Sequence, residues 1–208
     1  MHLTRCISGL AVFALFSCGQ GFPSEDGGTI DSGSHTTDAG TIDAGSIDAG
    51  TIDAGASAGL TSTAFADGGT IPARHSCAGM NLSVPLEWSA IPAAQSYAVV
   101  MTDTANSLLH WVIWDIPSSR LALPEGVEKV AQPTVPAGAK QVRSYDGSTY
   151  GYLGPCPPAT HVYRFELFGL DVAMLRGVTT PSTRAEVMTV ITAHTVSKTQ
   201  TLQGSYTP

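Results

Sequence analysis

Apolar side chains are distributed unevenly along the 208 residues, and the unevenness alone divides the chain into three parts. An apolar run from Ile7 to Phe16 stands at the beginning. From Gly19 to about Gly59 the chain is built from Gly, Ala, Ser, Thr and Asp, with Phe22 its one aromatic residue. Beyond it come short apolar or alternating segments, Leu86 to Trp88, Tyr97 to Met101, Trp111 to Ile116 and Tyr163 to Leu170, separated by Pro, Gly and Ser. Segments of that length and spacing predict strands. Prolines at 72, 85, 92, 117, 124, 133 and 136 argue against long helices in the same region.

Two stretches carry more detail. GPCPP, from Gly154 to Pro158, fixes three φ angles and withholds three backbone donors, so it predicts a stiff loop. The residues that follow alternate, with His161, Tyr163, Phe165 and Leu167 on one face and Val162, Arg164, Glu166 and Phe168 on the other. A strand is expected there, with His161 and Tyr163 leaving the loop on the same side. Near the end, Thr183-x-x-Glu186 after Pro181 is a capping-box pattern, and Val187, Val190, Ile191 and His194 follow at helical spacing. The predicted class is mainly β with a short C-terminal helix.

The first part reads as a secretory signal over residues 1–17, because Arg5 precedes an apolar run too short to span a bilayer. Leu15, Phe16, Ser17 and Cys18 resemble a bacterial lipobox, which implies cleavage before Cys18 and lipidation of that cysteine. Gly19 follows where an Asp would retain a lipoprotein in the inner membrane, so the outer membrane is the expected destination. Residues 18–59 read as a tether with five pentapeptides of the TIDAG type, a period far too short for a stacking repeat. Gly-rich calcium rolls use a longer repeat, which weighs against calcium. A flexible chain of this length spans about 35 Å.

Charge follows the same division. Residues 19 to 60 hold seven acids and no base, whereas residues 61 to 208 hold ten acids and nine bases. The net charge of −7 thus belongs mainly to the tether. This balance argues against a nucleic-acid partner on electrostatic grounds.

GPCPP followed by His161-x-Tyr163-x-Phe165, together with His110-Trp111-Val112 running to Ile116-Pro117, resembles the phosphatidylethanolamine-binding protein family, which includes Raf kinase inhibitor protein, and within it the bacterial YbhB/YbcL type. Phe65, Gly68, Gly69, Ile71 and Pro72 before Cys77, Pro85-Leu86-Glu87-Trp88, and His194-Thr195 with Leu202, Gly204 and Tyr206 extend the resemblance over residues 60–208. It implies one domain in which a large antiparallel sheet packs on a smaller one in a Greek-key-like arrangement, with an anion pocket at one end. Carried over, the pocket residues are Asp103, His110, the loop from Gly154 and Pro155 to Pro158, His161 and Tyr163. Thr104, Ala105, Asn106 and Ser107 replace the rest of the family's DPDAP motif, so the second carboxylate is missing and a shallower pocket is expected.

The chemistry of these residues suits an oxyanion: the imidazoles, the phenol and loop amides can all donate. Asp103 is expected to orient and charge one of the histidines, so that anion affinity falls as pH rises. His75 and His194 are expected at the rim and at the helix end. Trp88, Trp111 and Trp114 are expected in the core or the pocket wall. Two histidines and a carboxylate could alternatively hold iron or zinc, but no HxH or HxxxH spacing supports a metal, and no GxSxG elbow supports a serine hydrolase. Cys77 and Cys156 remain as an even pair in an exported chain, and a disulfide is expected. The expectation is therefore a non-enzymatic envelope protein without a cofactor. It would be tied to the membrane through its N-terminal lipid and bind a small anion or phosphorylated headgroup. An envelope protein partner is a further expectation, and an interaction module with a vestigial pocket the alternative.

Overall fold

The computed structural model describes residues 59–208. The expected signal peptide, the expected lipidation at Cys18 and the pentapeptides lie outside the described residues. Within them the elements run β1 (Gly69–Thr70), a 3-10 turn (Ala73–His75), β2 (Leu86–Glu87), β3 (Ser96–Asp103), β4 (Leu108–Pro117), β5 (Ala122–Leu123), β6 (Lys140–Gln141), β7 (His161–Leu170), α1 (Arg184–Ala193) and β8 (Thr195–Tyr206). Six strands form one sheet in the order β1-β8-β7-β3-β4-β6, antiparallel except where β1 pairs with β8, and β2 and β5 form a small antiparallel sheet. No helix among the described residues is long and apolar enough to cross a membrane.

The large sheet is apolar on both faces, and a different layer covers each. Tyr97, Val99, Met101, Trp111, Ile113, Tyr163, Phe165 and Leu167 face a core shared with Leu86 and Leu123 of the small sheet. Ala98, Val100, Val112, Trp114, Phe168 and Leu170 face a second core completed by Val187 and Ile191 of α1. Burial on both sides is why every residue of β3 is buried and why that strand reads as a continuous apolar run. The alternation expected along β7 is present, with Phe165 and Leu167 on one side and Phe168 on the other.

The expected helix begins where the capping box puts it. Thr183 Oγ1 accepts from the Glu186 amide at 3.2 Å, and the Thr183 amide donates to Glu186 Oε2 at 2.7 Å. It is not the last element, however. Twelve residues of β8 follow and pair along β7, from Thr195 opposite Leu170 to Tyr206 opposite His161.

Two irregularities bend β4 against β3. At the first, Val99 faces Ile113 and Tyr97 faces Ile116, leaving an extra residue near Asp115, whose φ is +56°. At the second, Met101 faces Trp111 and Thr102 faces Leu109, so His110 is the extra residue. A bulge of this kind re-aims side chains locally.

Candidate functional site

The core face of the large sheet becomes polar at one end. Along β3 the sequence Val99, Met101, Asp103 keeps one side, and along β7 Phe165, Tyr163, His161 does the same. Asp103 is directly opposite Tyr163 in the β3–β7 ladder, which places His161 on the diagonal, within reach of a short side chain. His161 Nδ1 and Asp103 Oδ2 are 2.7 Å apart. A carboxylate can only accept, so Nδ1–H donates and Nε2 is left as the free edge of the ring. Asp103 is 3% exposed, and its other oxygen accepts the Ala105 amide at 2.9 Å, which ties the β3–β4 turn to the same carboxylate.

His110 reaches this side through its bulge. Regular alternation would put it on the face opposite Trp111; as the extra residue, it packs edge-on to Tyr163, with ring centroids 5.1 Å apart. Its Nδ1 lies 2.8 Å from the Leu153 carbonyl, to which it must donate, leaving Nε2 an acceptor in the neutral ring. Burial, its largest cause, pushes the His110 pKa below the usual imidazole value, so this ring is neutral at pH 7.

A cavity of about 100 Å³ lies among Asp103, Asn106, Leu108, His110, Tyr145, Cys156, Pro157, Pro158, His161 and Tyr163. Burial, reinforced by Asp103, raises the pKa of the Tyr163 phenol, and burial with Asp146 and Asp103 does the same at Tyr145. Both phenols therefore keep their protons at neutral pH. Pockets for drug-sized ligands run to roughly 300 Å³ and above. This one has room for a single small group.

The Gly154–Pro158 loop forms one wall and is held from behind. Cys77 and Cys156 are bonded, the Cys77 amide donates to the Pro155 carbonyl at 2.9 Å, and the Gly154 amide donates to Asn81 Oδ1 at 2.8 Å. A Cβ on Gly154 would fall 2.1 Å from the His75 carbonyl oxygen, so only glycine fits there. Gly154 and Pro155 were expected to line the pocket, but they stand behind it. The Gly154 amide is already used and Pro155, Pro157 and Pro158 have none, so side chains supply most of the available donors.

Asp103, His110, His161 and Tyr163 are thus brought together as expected, and the loop contributes Cys156, Pro157 and Pro158. His75 is not at the rim: it is buried, with Nδ1 donating to the Leu82 carbonyl at 3.0 Å. His194 caps the end of α1 and pairs with Asp171 at 2.8 Å. The three tryptophans are buried in the cores and none lines the cavity. Sequence reading missed Tyr145, which stacks edge-on to His110 with centroids 4.8 Å apart. Its one signal was an aromatic residue stranded in the turn sequence Ser144-Tyr145-Asp146-Gly147. Asn106 and Leu108 were missed as well. Among the described residues no group of three or more His, Cys, Asp or Glu could hold a metal ion.

Known proteins resemble this chain in sequence and fold. Residues 61–207 match the family model of the phosphatidylethanolamine-binding protein. A UPF0098 protein of Methanothermobacter thermautotrophicus is 39% identical over 120 residues, which cover 55% of this chain and 78% of the relative. LppC of Mycobacterium tuberculosis, whose name carries the word lipoprotein, is 38% identical over 121 residues, covering 55% of this chain and 56% of LppC. The match thus spans little more than half of LppC. Among solved structures, Escherichia coli YbcL, described as a member of the mammalian PEBP family, superposes with a TM-score of 0.66 at 27% identity, over 74% of this chain and 99% of YbcL. With its family model matched across nearly the whole of the described region, the chain belongs to the phosphatidylethanolamine-binding protein family.

Proposed function

We propose that the chain is a non-enzymatic, lipid-anchored envelope protein whose pocket binds a small anionic group, such as the phosphate of a headgroup, and which acts on a protein partner. The observation that carries this reading is the His161–Asp103 pair at 2.7 Å, facing a cavity of about 100 Å³ with two protonated phenols. With Nδ1–H taken up by Asp103, a doubly protonated His161 donates from Nε2, and the Tyr145 and Tyr163 hydroxyls add donors. The cavity volume favours a headgroup over an acyl chain. Near-neutral charge in residues 61 to 208 is compatible with a ligand held by a few aimed donors and weighs against nucleic acid. The lipobox-like residues ending at Cys18 and the similarity to LppC support the envelope anchor, with the outer membrane as the destination.

The test is a thermal-shift titration of the protein with inorganic phosphate and with phosphoethanolamine, in wild type and His161→Gln. Saturable stabilisation is expected, about 2.7 kcal/mol at a hundredfold excess over the dissociation constant. It should disappear in the variant. No shift at millimolar ligand would leave the pocket vestigial and the interaction module as the better reading.

A further inference from the structure

A second cleft, of about 570 Å³, opens beside the first between the hairpin carrying Tyr145 and the start of α1. Arg143, Tyr150, Pro181, Ser182, Thr183, Arg184 and Ala185 line it, and no acidic residue does. We infer that this cleft is a docking site for an acidic peptide segment of a protein partner, whose carboxylates are gripped by Arg143 and Arg184.

The two guanidiniums are held ready by the same hairpin. Arg143 and Tyr150 face each other across a β-bridge, and the guanidinium lies over the Tyr150 ring, 4.6 Å from its centroid. One Arg143 N–H donates to the Gly147 carbonyl at 3.1 Å, and one Arg184 N–H donates to the Arg143 carbonyl at 3.3 Å. Each guanidinium has five donors in a planar fork, so most remain for a ligand. Among the described residues neither arginine is in an ion pair, whereas Arg74, Lys140, Arg164 and Lys198 all are. Burial lowers the Arg184 pKa, with Asp146 acting in the opposite sense. A partly desolvated cation without a paired carboxylate is a favourable partner for one supplied from outside.

The start of α1 adds little of its own. The capping box takes up the Thr183 and Glu186 amides, and the carboxylate of Glu186 is engaged there. Shape and charge choose the occupant. Arg143, Thr183, Pro181 and Ala185 are exposed, so the cleft is open along its length and suits a chain lying through it. Small ligands are instead mostly enclosed. A membrane surface would need a basic face, and residues 61 to 208 hold ten acids against nine bases. Two aimed guanidiniums on a near-neutral domain fit two carboxylates.

The test is fluorescence anisotropy of a short fluorescein-labelled polyglutamate peptide, with polyglutamine of equal length as control, on the full chain. Wild type should bind polyglutamate and not polyglutamine, and Arg143→Gln with Arg184→Gln should weaken binding at least about tenfold, a loss of about 1.4 kcal/mol. Ala185→Glu is the second variant. It adds a like charge at an exposed position in the first turn of α1, where the helix dipole favours an acid, so it should block the peptide without unfolding the domain. Phosphate stabilisation at His161 should persist in both variants, which separates this site from the pocket. Equal binding of polyglutamine, full binding by both variants, or no binding by wild type at millimolar peptide would overturn the proposal. So would arginine-dependent binding to phosphatidylglycerol vesicles in place of the peptide.

Discussion

His110 and His161 share one cavity, and different acceptors hold their Nδ1 atoms. At His161 the acceptor is the Asp103 carboxylate, which leaves Nε2 facing the cavity. Burial holds His110 neutral against the opposing pull of the Leu153 carbonyl, and with its Nδ1–H donated to that carbonyl its Nε2 can only accept. Both imidazoles were expected to donate to an anion, but the geometry leaves that role to His161 and makes His110 suited to a protonated phosphate oxygen or another donor. The lowered pKa also has a stability consequence. Above the unfolded imidazole value of about 6.5 both states are neutral; as pH falls through it, the unfolded chain takes up a proton that folded His110 resists. Stability is then lost at up to about 1.4 kcal/mol per pH unit until the lowered folded value is reached. His110→Gln, which keeps an amide donor for the Leu153 carbonyl, should lose less stability than wild type between pH 7 and pH 5 in urea denaturation.

At the scale of elements, the loop that walls the cavity is rigid because it is fastened at several points. Closing the loop between Cys77 and Cys156, at a sequence separation of 79, is worth about 4.5 kcal/mol in the chain-entropy model. Cys77→Ser should therefore lower the unfolding free energy by roughly 2 to 4 kcal/mol. It should weaken phosphate stabilisation too, since Cys156, Pro157 and Pro158 line the cavity; the urea midpoint and the phosphate shift check the two effects separately. The long strands and the helix were legible in the sequence because their apolar periodicity is strong. β8 was not, because TVSKTQTLQGSY has few apolar residues, and only Leu202, Gly204 and Tyr206 hinted at it through the family resemblance. Its ladder with β7, rather than its own side chains, makes it a strand. The two-residue strands β1, β5 and β6 are too short to show any period. For the site, the strand-borne residues followed from pattern, whereas Tyr145 lies on a turn, where no periodicity points inward.

Across the molecule, charge and apolar surface are segregated along the sequence. Acids without bases fill residues 19 to 60, and the apolar residues that build the two cores come after them. If Cys18 carries the anchor, Cys18→Ser should move the protein from the membrane fraction to the soluble fraction, leaving its phosphate stabilisation intact. Retention in the membrane fraction would count against lipidation there. The bulge in β4 bears on how such a site arises. Trp111, Leu109 and Leu108 already sit opposite Met101, Thr102 and Asp103 as they would in an uninterrupted ladder, with His110 looped out between them. Removing that one codon would close the ladder without turning any neighbour to the wrong face. The imidazole is therefore an addition to the fold rather than one of its supports, and a lineage could gain or lose it in a single insertion or deletion while both cores stay as they are.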